Sequence, residues 1–379
     1  MSRINDLIKE LCPNGVAYVK LEELVDYIQP AKYIVKNTNY DIKYDVPVLT
    51  AGQTFILGYT NERDGIYYAS ADNPVIIFDD FTTSNHWVDF NFKVKSSAMK
   101  ILISKTDNLF KYIYYCISNI DYVPKEHSRQ WIQVYSQFQI PLPPLKVQEE
   151  IVRILDKFGE LEAELEAELE TRKSQYEFWR GNLLFNPNYP VYKMEDICII
   201  NQGLQIPINQ RKKEPGENRY FYITVQFLKN EGENYYIENP SESVICKKDD
   251  ILVTRTGSTG KIVYGVEGCF HNNFFKVTPI INLNKKYLYH VLNSTQMFNE
   301  MLRAASGGTV PDLPHKKFYK LEIGLPSIEE QKKIVTILDK FENLISDISI
   351  GLPAEIELRR KQYKYYRNKL LSFEELSCE

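Results

Sequence analysis

Residues 140–161 read IPLPPLKVQEEIVRILDKFGEL, and residues 323–344 read IGLPSIEEQKKIVTILDKFENL, the same text 183 positions later. Two copies this alike in one chain come from duplication, and the match widens outward from them. Gln175, Tyr176, Arg180, Leu183 and Leu184 return as Gln362, Tyr363, Arg367, Leu370 and Leu371, now 187 positions on, so the second copy has gained four residues. Upstream, KLEEL at 20–24 returns as KMEDI at 193–197, and YIYYCI at 112–117 as YLYHVL at 287–292. The unit is a variable domain followed by a repeated helical segment. The expected organisation is 1–139 variable, 140–185 helical, 186–322 variable and 323–379 helical. Two copies are too few for a solenoid.

With 379 residues, 44% hydrophobic and 25% charged, the chain has the composition of a folded globular protein of two or three domains. No apolar run reaches 18 residues, which argues against a membrane span. The first residues, MSRINDLIKELCPNG, put charges where a signal peptide needs an apolar core, so the expected location is cytoplasmic. The six cysteines are far apart, with no C-x-x-C pair, and read as reduced thiols. A net charge of -4 provides no basic field of the kind nucleic-acid binders usually carry. The charge is unevenly spread: -4 over 140–185 but +3 over 186–322.

After Pro143 and Pro144, apolar residues fall at 147, 151, 154, 158, 161, 165 and 169, then at 176, 179 and 183, the steps of a helical seam. Pro144 suits a first helical turn. In the second copy Ser327 and Glu330 have capping-box spacing. The run LEAELEAELE at 161–170 advances in steps of four, a stutter that unwinds a left-handed supercoil, and the matching steps are Leu344, Ile348, Leu352 and Ile356. Gly351 and Pro353 predict a kink or a restarted helix there. Each stripe must be buried, and the other copy offers a matched partner. The expectation is an antiparallel pair, which would put the variable domains at opposite ends about an approximate two-fold axis. The alternative is that each helix packs on its own variable domain.

The variable domains mix short strands (VIIF 75–78, FNFKV 90–94, DILV 250–253, NFFKV 273–277) with helices near 108–118 and 285–302, an α+β pattern. At the offset of 175, Ile76, Ile77 and Phe78 align with Ile251, Leu252 and Val253, whereas the tips that follow diverge: DDFTTSN against TRTGSTG. One scaffold with two different polar tips is suited to reading two different surfaces. If the surface is DNA, Arg255 suits guanine, Asn85 suits adenine, and Asp79 or Asp80 suits cytosine. Thr82, Thr83, Ser84, Thr256, Ser258 and Thr259 suit phosphates or bases, with Arg129, Gln130, Lys261, Asn272, Asn273 and Thr309 as second-rank candidates. Against this stands the ordinary use of Gly, Ser, Thr and Asp in turns. Near the helix ends Tyr176, Trp179, Arg180, Tyr363, Tyr365, Tyr366 and Arg367 are candidates for contacting a partner protein, with packing in the core an equal alternative for the aromatic residues.

The doubled ILDKF, the pair RKSQYEFWRGNLL and RRKQYKYYRNKLL, the GLPAE link and the LEAELEAELE run together resemble the specificity subunit of type I restriction-modification systems, over the whole chain. The resemblance implies two globular target-recognition domains, each binding half of a bipartite double-stranded DNA site. It implies two long antiparallel, coiled-coil-like helices that space the domains and dock two methyltransferase subunits. Restriction subunits would join that complex. S-adenosylmethionine, ATP and Mg would be used on those partners, with no cofactor, metal or catalytic residue in this chain. Four helical residues add about 6 Å of rise and about 40° of rotation, against about 3.4 Å and about 35° for one base pair. Deleting one LEAE tetrad should therefore shorten the DNA spacer by one or two base pairs.

Motifs for catalysis are lacking. GSTGK at 257–261 is too short for a phosphate loop. NPNY at 186–189 lacks the second proline of an amino-methyltransferase motif and reads as a linker turn. Pro311-Asp312 with Glu330 and Lys332 imitates a nuclease signature, yet the latter two open the repeated helix. The histidines (His86, His127, His271, His290, His315) have no metal-ligand spacing. Two rival readings remain at this stage: a tandem protein-binding scaffold, and a single-chain DNA methyltransferase or nuclease with degenerate motifs.

Overall fold

A computed structural model describes residues 2–50, 54–229, 233–307, 310–346 and 351–376. Two compact units result, and they do not follow chain order: Met1–Glu164 with Ile356–Glu379, and Leu165–Glu355.

In the first unit, helix α1 (Ser2–Leu11) precedes β1 (Ala17–Lys20), α2 (Leu21–Leu24) and β2 (Val25–Ile28). Then come β3 (Val46–Leu49), β4 (Ile56–Thr60), β5 (Val75–Asp79), β6 (Asn85–Val88), β7 (Lys93–Val94), β8 (Met99–Ser104), α3 (Phe110–Asn119) and β9 (Gln139–Leu142). The main sheet is antiparallel in the order β2-β8-β5-β6, and β4-β3-β7 forms a second sheet. Strand β5 is central and buried on both faces, which is why VIIF reads as an unbroken apolar run. Of FNFKV, only Lys93–Val94 is strand.

Helix α4 (Leu145–Leu184) runs unbroken through 40 residues and contributes to both units. The second unit continues with β10 (Val191–Lys193), α5 (Met194–Ile197), β11 (Cys198–Gln202), β12 (Arg219–Ile223), β13 (Tyr236–Glu238) and β14 (Ile245–Cys246). Next are β15 (Ile251–Thr254), β16 (Ile262–Val263), β17 (Gly268–Phe270), β18 (Phe274–Pro279), α6 (Lys285–Leu292) and α7 (Thr295–Ala304). Its main sheet, β11-β18-β15-β16, repeats the first in order and direction. The helix expected over 285–302 is split, because Ser294 stops α6 and caps α7 by accepting from the Met297 amide at 3.2 Å. Short α8 (His315–Phe318) and β19 (Glu322–Gly324) lead into α9 (Ile328–Ser346), and α10 (Leu352–Leu370) closes the chain.

Pro353 sits in the first turn of α10, so the second helical segment is interrupted and restarted as Gly351 and Pro353 predict; Ile348 lies outside the described residues. The Glu330 amide donates to Ser327 Oγ at 3.3 Å, the capping bond expected from the spacing. The buried stripe differs in detail from the expected seam. Tyr176, Arg180 and Leu184 face inward near the end of α4, with Trp179 outside, and Ile345 is buried in place of Leu344. Steps of four continue the stutter and rotate the stripe past Trp179.

Within each unit two helix segments run antiparallel. In the first, α4 meets α10: Phe158 stacks on Tyr366 at 5.4 Å between ring centroids, and one turn along α4 Glu162 pairs with Arg360 at 2.7 Å. In the second, Tyr176 of α4 lies 6.3 Å from Phe341 of α9, while the Leu184 carbonyl lies by Gly324 just before α9 begins. The segments also pack on their own lobes, where Val147, Ile151 and Leu155 share a core with Tyr112 and Ile113. The two expected packings coexist.

The ties from lobe to helix are repeated as well. Tyr112 donates its hydroxyl to the Pro141 carbonyl at 2.9 Å, and Tyr287 does the same to Gly324 at 2.8 Å. Buried Gln148 accepts from the Leu109 amide at 3.1 Å and donates to the Pro143 carbonyl at 2.8 Å. Its counterpart Gln331 accepts from Asn284 at 3.0 Å and donates to Pro326 at 2.9 Å. The tail after α10 then closes the first unit: Val16 bonds Glu374 at 2.9 Å and Leu376 at 3.0 Å. Gly15 (φ +91) is required here, since a Cβ would lie 2.5 Å from the Glu374 carbonyl oxygen.

Candidate nucleic-acid interface

In each lobe the central strand of the main sheet ends in a polar tip. In the first lobe the tip is a tight turn between β5 and β6. Asp79 accepts from the amides of Phe81 at 2.8 Å and Thr82 at 3.1 Å, and Thr83 takes a positive φ of 63° to complete the reversal. Thr82 is exposed and its hydroxyl bonds that of Ser84 at 3.1 Å. Asn85 is half-buried and accepts from Ser118 at 2.5 Å.

Four first-lobe candidates are turned inward, among them Thr83, whose hydroxyl donates to the Thr82 carbonyl at 2.6 Å. Asp79 and Asp80 are buried, Asp79 spent on the turn and Asp80 accepting from the Trp131 amide at 2.9 Å. Gln130 is also buried, donating to the Ser128 carbonyl at 2.8 Å and accepting from Tyr122 at 2.8 Å. A short acidic pair after an apolar strand looks outward in sequence; here the incoming 128–131 loop covers it. Asp80 Oδ2 lies 3.6 Å from Nζ of fully buried Lys100 and 3.8 Å from Nη1 of exposed Arg129. Burial pulls the Lys100 pKa down, opposed by the charge of Asp80. Lys100 was not legible as part of the site, being one lysine in a strand. Phe81 stacked on His127, centroids 4.7 Å apart, is a second unanticipated feature beside this tip.

The second-lobe tip uses two glycines at positive φ, Gly257 (85°) and Gly260 (83°), where the first uses Thr83. Buried Thr254 and Thr259 close it, the latter donating to the Pro311 carbonyl at 2.5 Å, so Thr259 is also turned inward. Arg255 is held by Asp312 through two bonds, Nε–Oδ1 at 2.8 Å and Nη2–Oδ2 at 3.2 Å. Thr256, Ser258, Asn272 and Asn273 are half-buried around it and Lys261 is exposed. Asn272 donates to Gln205 at 3.4 Å, and the Asn273 amide donates to Nδ1 of His271 at 3.1 Å. Thr309 lies outside the described residues.

The repeated helix-end motif has a structural duty. Arg180 lies over the Tyr176 ring and reaches Glu177 at 2.9 Å and Thr295 at 3.4 Å. Arg367 lies over the Tyr363 ring and donates to Asn119 at 3.0 Å. Tyr176 and Arg180 are buried, and Tyr363, Tyr366 and Arg367 half-buried, so these side chains tie helix to lobe. The exposed aromatic side chains of α4 are Trp179 and its neighbour Phe178, which spacing did not single out; on α10 Tyr365 is exposed.

One group among the described residues, His290, Asp339 and Glu342, has metal-ligand composition. Nε2 of His290 bonds Asp339 at 2.7 Å, Lys286 pairs with Asp339 at 3.6 Å and Tyr289 donates to Glu342 at 2.7 Å, while Nδ1 of His290 is buried without a hydrogen-bond partner. The first lobe has Tyr115 bonded to Asp156 in the same place, so the cluster is a lobe-to-helix tie. Among the described residues no helix is long and apolar enough to cross a membrane.

The family model described as type I restriction modification DNA specificity domain matches twice, over residues 13–171 and 186–358. The specificity subunit of a type I restriction enzyme of Escherichia coli is 43% identical, covering 98% of each chain. Among solved structures, the S subunit of a type I restriction-modification system from M. genitalium superposes with a TM-score of 0.56 at 14% identity, over 95% of this chain and 97% of that one. A chain from a study of type I complex assembly and conformational transition gives 0.57, also at 14% identity, over 95% and 98%. At that identity the structures speak for the fold.

Proposed function

The chain belongs to the type I restriction-modification DNA specificity family, and on that premise we propose that its variable domains, 1–139 and 186–322, are target-recognition domains that each bind one half of a bipartite duplex site. It is a specificity subunit and not itself the enzyme. The observation that carries the reading is the pairing of sameness and difference: one sheet order and one set of helix ties, used twice, under two unlike polar tips. The helical segments set the spacing between half-sites and dock two methyltransferase subunits, to which Phe178, Trp179 and Tyr365 offer exposed aromatic area. Restriction subunits complete the assembly in the cytoplasm, and S-adenosylmethionine, ATP and Mg are used on the partners. With a net charge of -4 this chain gains affinity from positive surface on the methyltransferase subunits.

Base-resolution methylation mapping in a host carrying the complex tests this. The expected result is two fixed blocks separated by a gap of fixed length. Deleting residues 165–168, one LEAE tetrad, should shorten the gap by one or two base pairs, as the rise and rotation of one helical turn require, and leave both blocks intact. Altered blocks with an unchanged gap overturn the spacing role. Binding by the complex that does not weaken steeply with ionic strength overturns duplex recognition and returns the reading to a protein scaffold.

A further inference from the structure

Asp80 and Arg255 occupy one position in the two lobes. Each follows the central strand, and each donates its amide to the neighbouring chain, Asp80 to Ala98 at 3.0 Å and Arg255 to Asn273 at 2.6 Å. Each also accepts at its carbonyl from the loop that precedes the repeated helix: Gln130 to Asp80 at 2.8 Å, Leu313 to Arg255 at 3.1 Å. The residue just before that loop donor is Arg129 in the first lobe and Asp312 in the second. The same strand-to-loop contact is thus bridged by an ion pair in both lobes, with the polarity reversed: aspartate on the strand and arginine on the loop, then arginine on the strand and aspartate on the loop.

The layer beneath has changed with the polarity. Lys100 stands opposite Phe78 in the first lobe, and Phe275 stands opposite Val253 in the second. A carboxylate on the strand is buried and needs the second cation below it. A guanidinium on the strand reaches outward to a half-exposed carboxylate, and an apolar ring suffices below. What survives the reversal is one guanidinium per lobe at the outer surface of this contact, 52% exposed for Arg129 and 38% for Arg255. In Arg255 the Nε and Nη2 bonds to Asp312 fix the plane and leave Nη1 and the outer N–H of Nη2 as two parallel donors. That edge matches O6 and N7 of guanine.

We propose that Arg129 and Arg255 each read a guanine in the half-site of their own lobe, and that Asp312, and Asp80 backed by Lys100, are positioning residues that aim them. The assignment rests on the DNA-recognition reading above. A mere surface latch needs only opposite charges; the proposal needs the fork of the guanidinium, which lysine lacks.

The experiment uses the full chain with its methyltransferase subunits, methylation mapping on a DNA library, and thermal melting of every variant as a control for folding. Arg129→Lys and Arg129→Ala should relax preference at one G·C pair in one half-site only, and Arg255→Lys and Arg255→Ala at one pair in the other half only. The expected loss of discrimination is about ten- to a hundredfold. Asp312→Asn should relax the same pair as Arg255→Ala and add nothing when the two are combined, whereas a purely structural latch would lower the melting temperature and leave base preference alone. Wild-type half-sites retained by the arginine variants overturn the proposal. So does a loss equal for all bases with shallower salt dependence, the mark of a phosphate contact. If the wild-type complex selects no bipartite site, the DNA-recognition reading falls and this proposal with it; if it selects one and the arginine variants do not alter it, only this proposal falls.

Discussion

In the first lobe the carboxylate of the strand-to-loop ion pair is 1% exposed and shared with a lysine that is wholly buried; in the second the corresponding carboxylate is 31% exposed and the guanidinium it holds reaches solvent. Burial decides what each pair is worth. Removing one member of a buried pair strands a charge in a poorly solvated site, whereas an exposed pair has water to replace the partner. Lys100→Met should therefore cost the first lobe about 3–5 kcal/mol, because Arg129 at 3.8 Å and largely in solvent cannot compensate Asp80. Asp312→Asn should cost the second lobe less than about 1 kcal/mol. Hydrogen exchange resolved by lobe measures both, and equal losses would break the comparison.

The lobe-to-helix ties set the opposite expectation, since Gln148 and Gln331 make the same pair of bonds in equally buried places. Gln148→Leu and Gln331→Leu each leave a half-buried amide and a buried carbonyl oxygen unpaired, at a cost of about 1–3 kcal/mol. Gln148 also donates to Oδ1 of half-buried Asn108 at 3.1 Å, so the two losses should agree to within about 1 kcal/mol, that of Gln148 the larger, in denaturant melts monitored by exchange. A large difference would mean that the repeated bonds no longer carry repeated energetics and would sharpen the contrast with the tips.

These two regions also differ in how far they can be read in sequence. The duplication, the α+β lobes, the break at Gly351 and Pro353 and the Ser327 cap follow from offset, periodicity and local chemistry, because such features depend on residues near one another in the chain. The tips are visible as divergent polar strings, but which tip residues face outward is not: Asp79 and Thr83 are turned inward by the turn itself, and Asp80, Gln130 and Thr259 are buried, with Asp80 and Thr259 held by contacts between distant segments. Asp312 holds Arg255 across 57 positions, and Lys100 neutralises Asp80 from a neighbouring strand. Trp179 fits the seam by spacing and is displaced from it by the stutter, an effect of accumulated rotation along α4. Alignment of the two copies at their measured offsets would have paired Arg129 with Asp312 and Asp80 with Arg255, and so exposed the reversed charges.

A smaller difference between the lobes lies in their response to acid. Burial lowers the pKa of His271, His290 and His315 in the second lobe and of His86 in the first. At His290 the bond to Asp339 opposes the burial without reversing it. As pH falls through the ordinary histidine value of 6.5, the unfolded chain takes up protons before the folded one, so folding loses free energy from there down to the depressed folded values; above it nothing is lost. The second lobe should lose more protection between pH 7.5 and 5.5, as lobe-resolved exchange would record. His290→Tyr places at this tie the residue that bonds Asp156 in the first lobe, and a tyrosine does not titrate in that range. The substitution should bring the acid response of the second lobe closer to that of the first. An unchanged response would assign the effect to His271 and His315 and leave the His290 tie insensitive to protons.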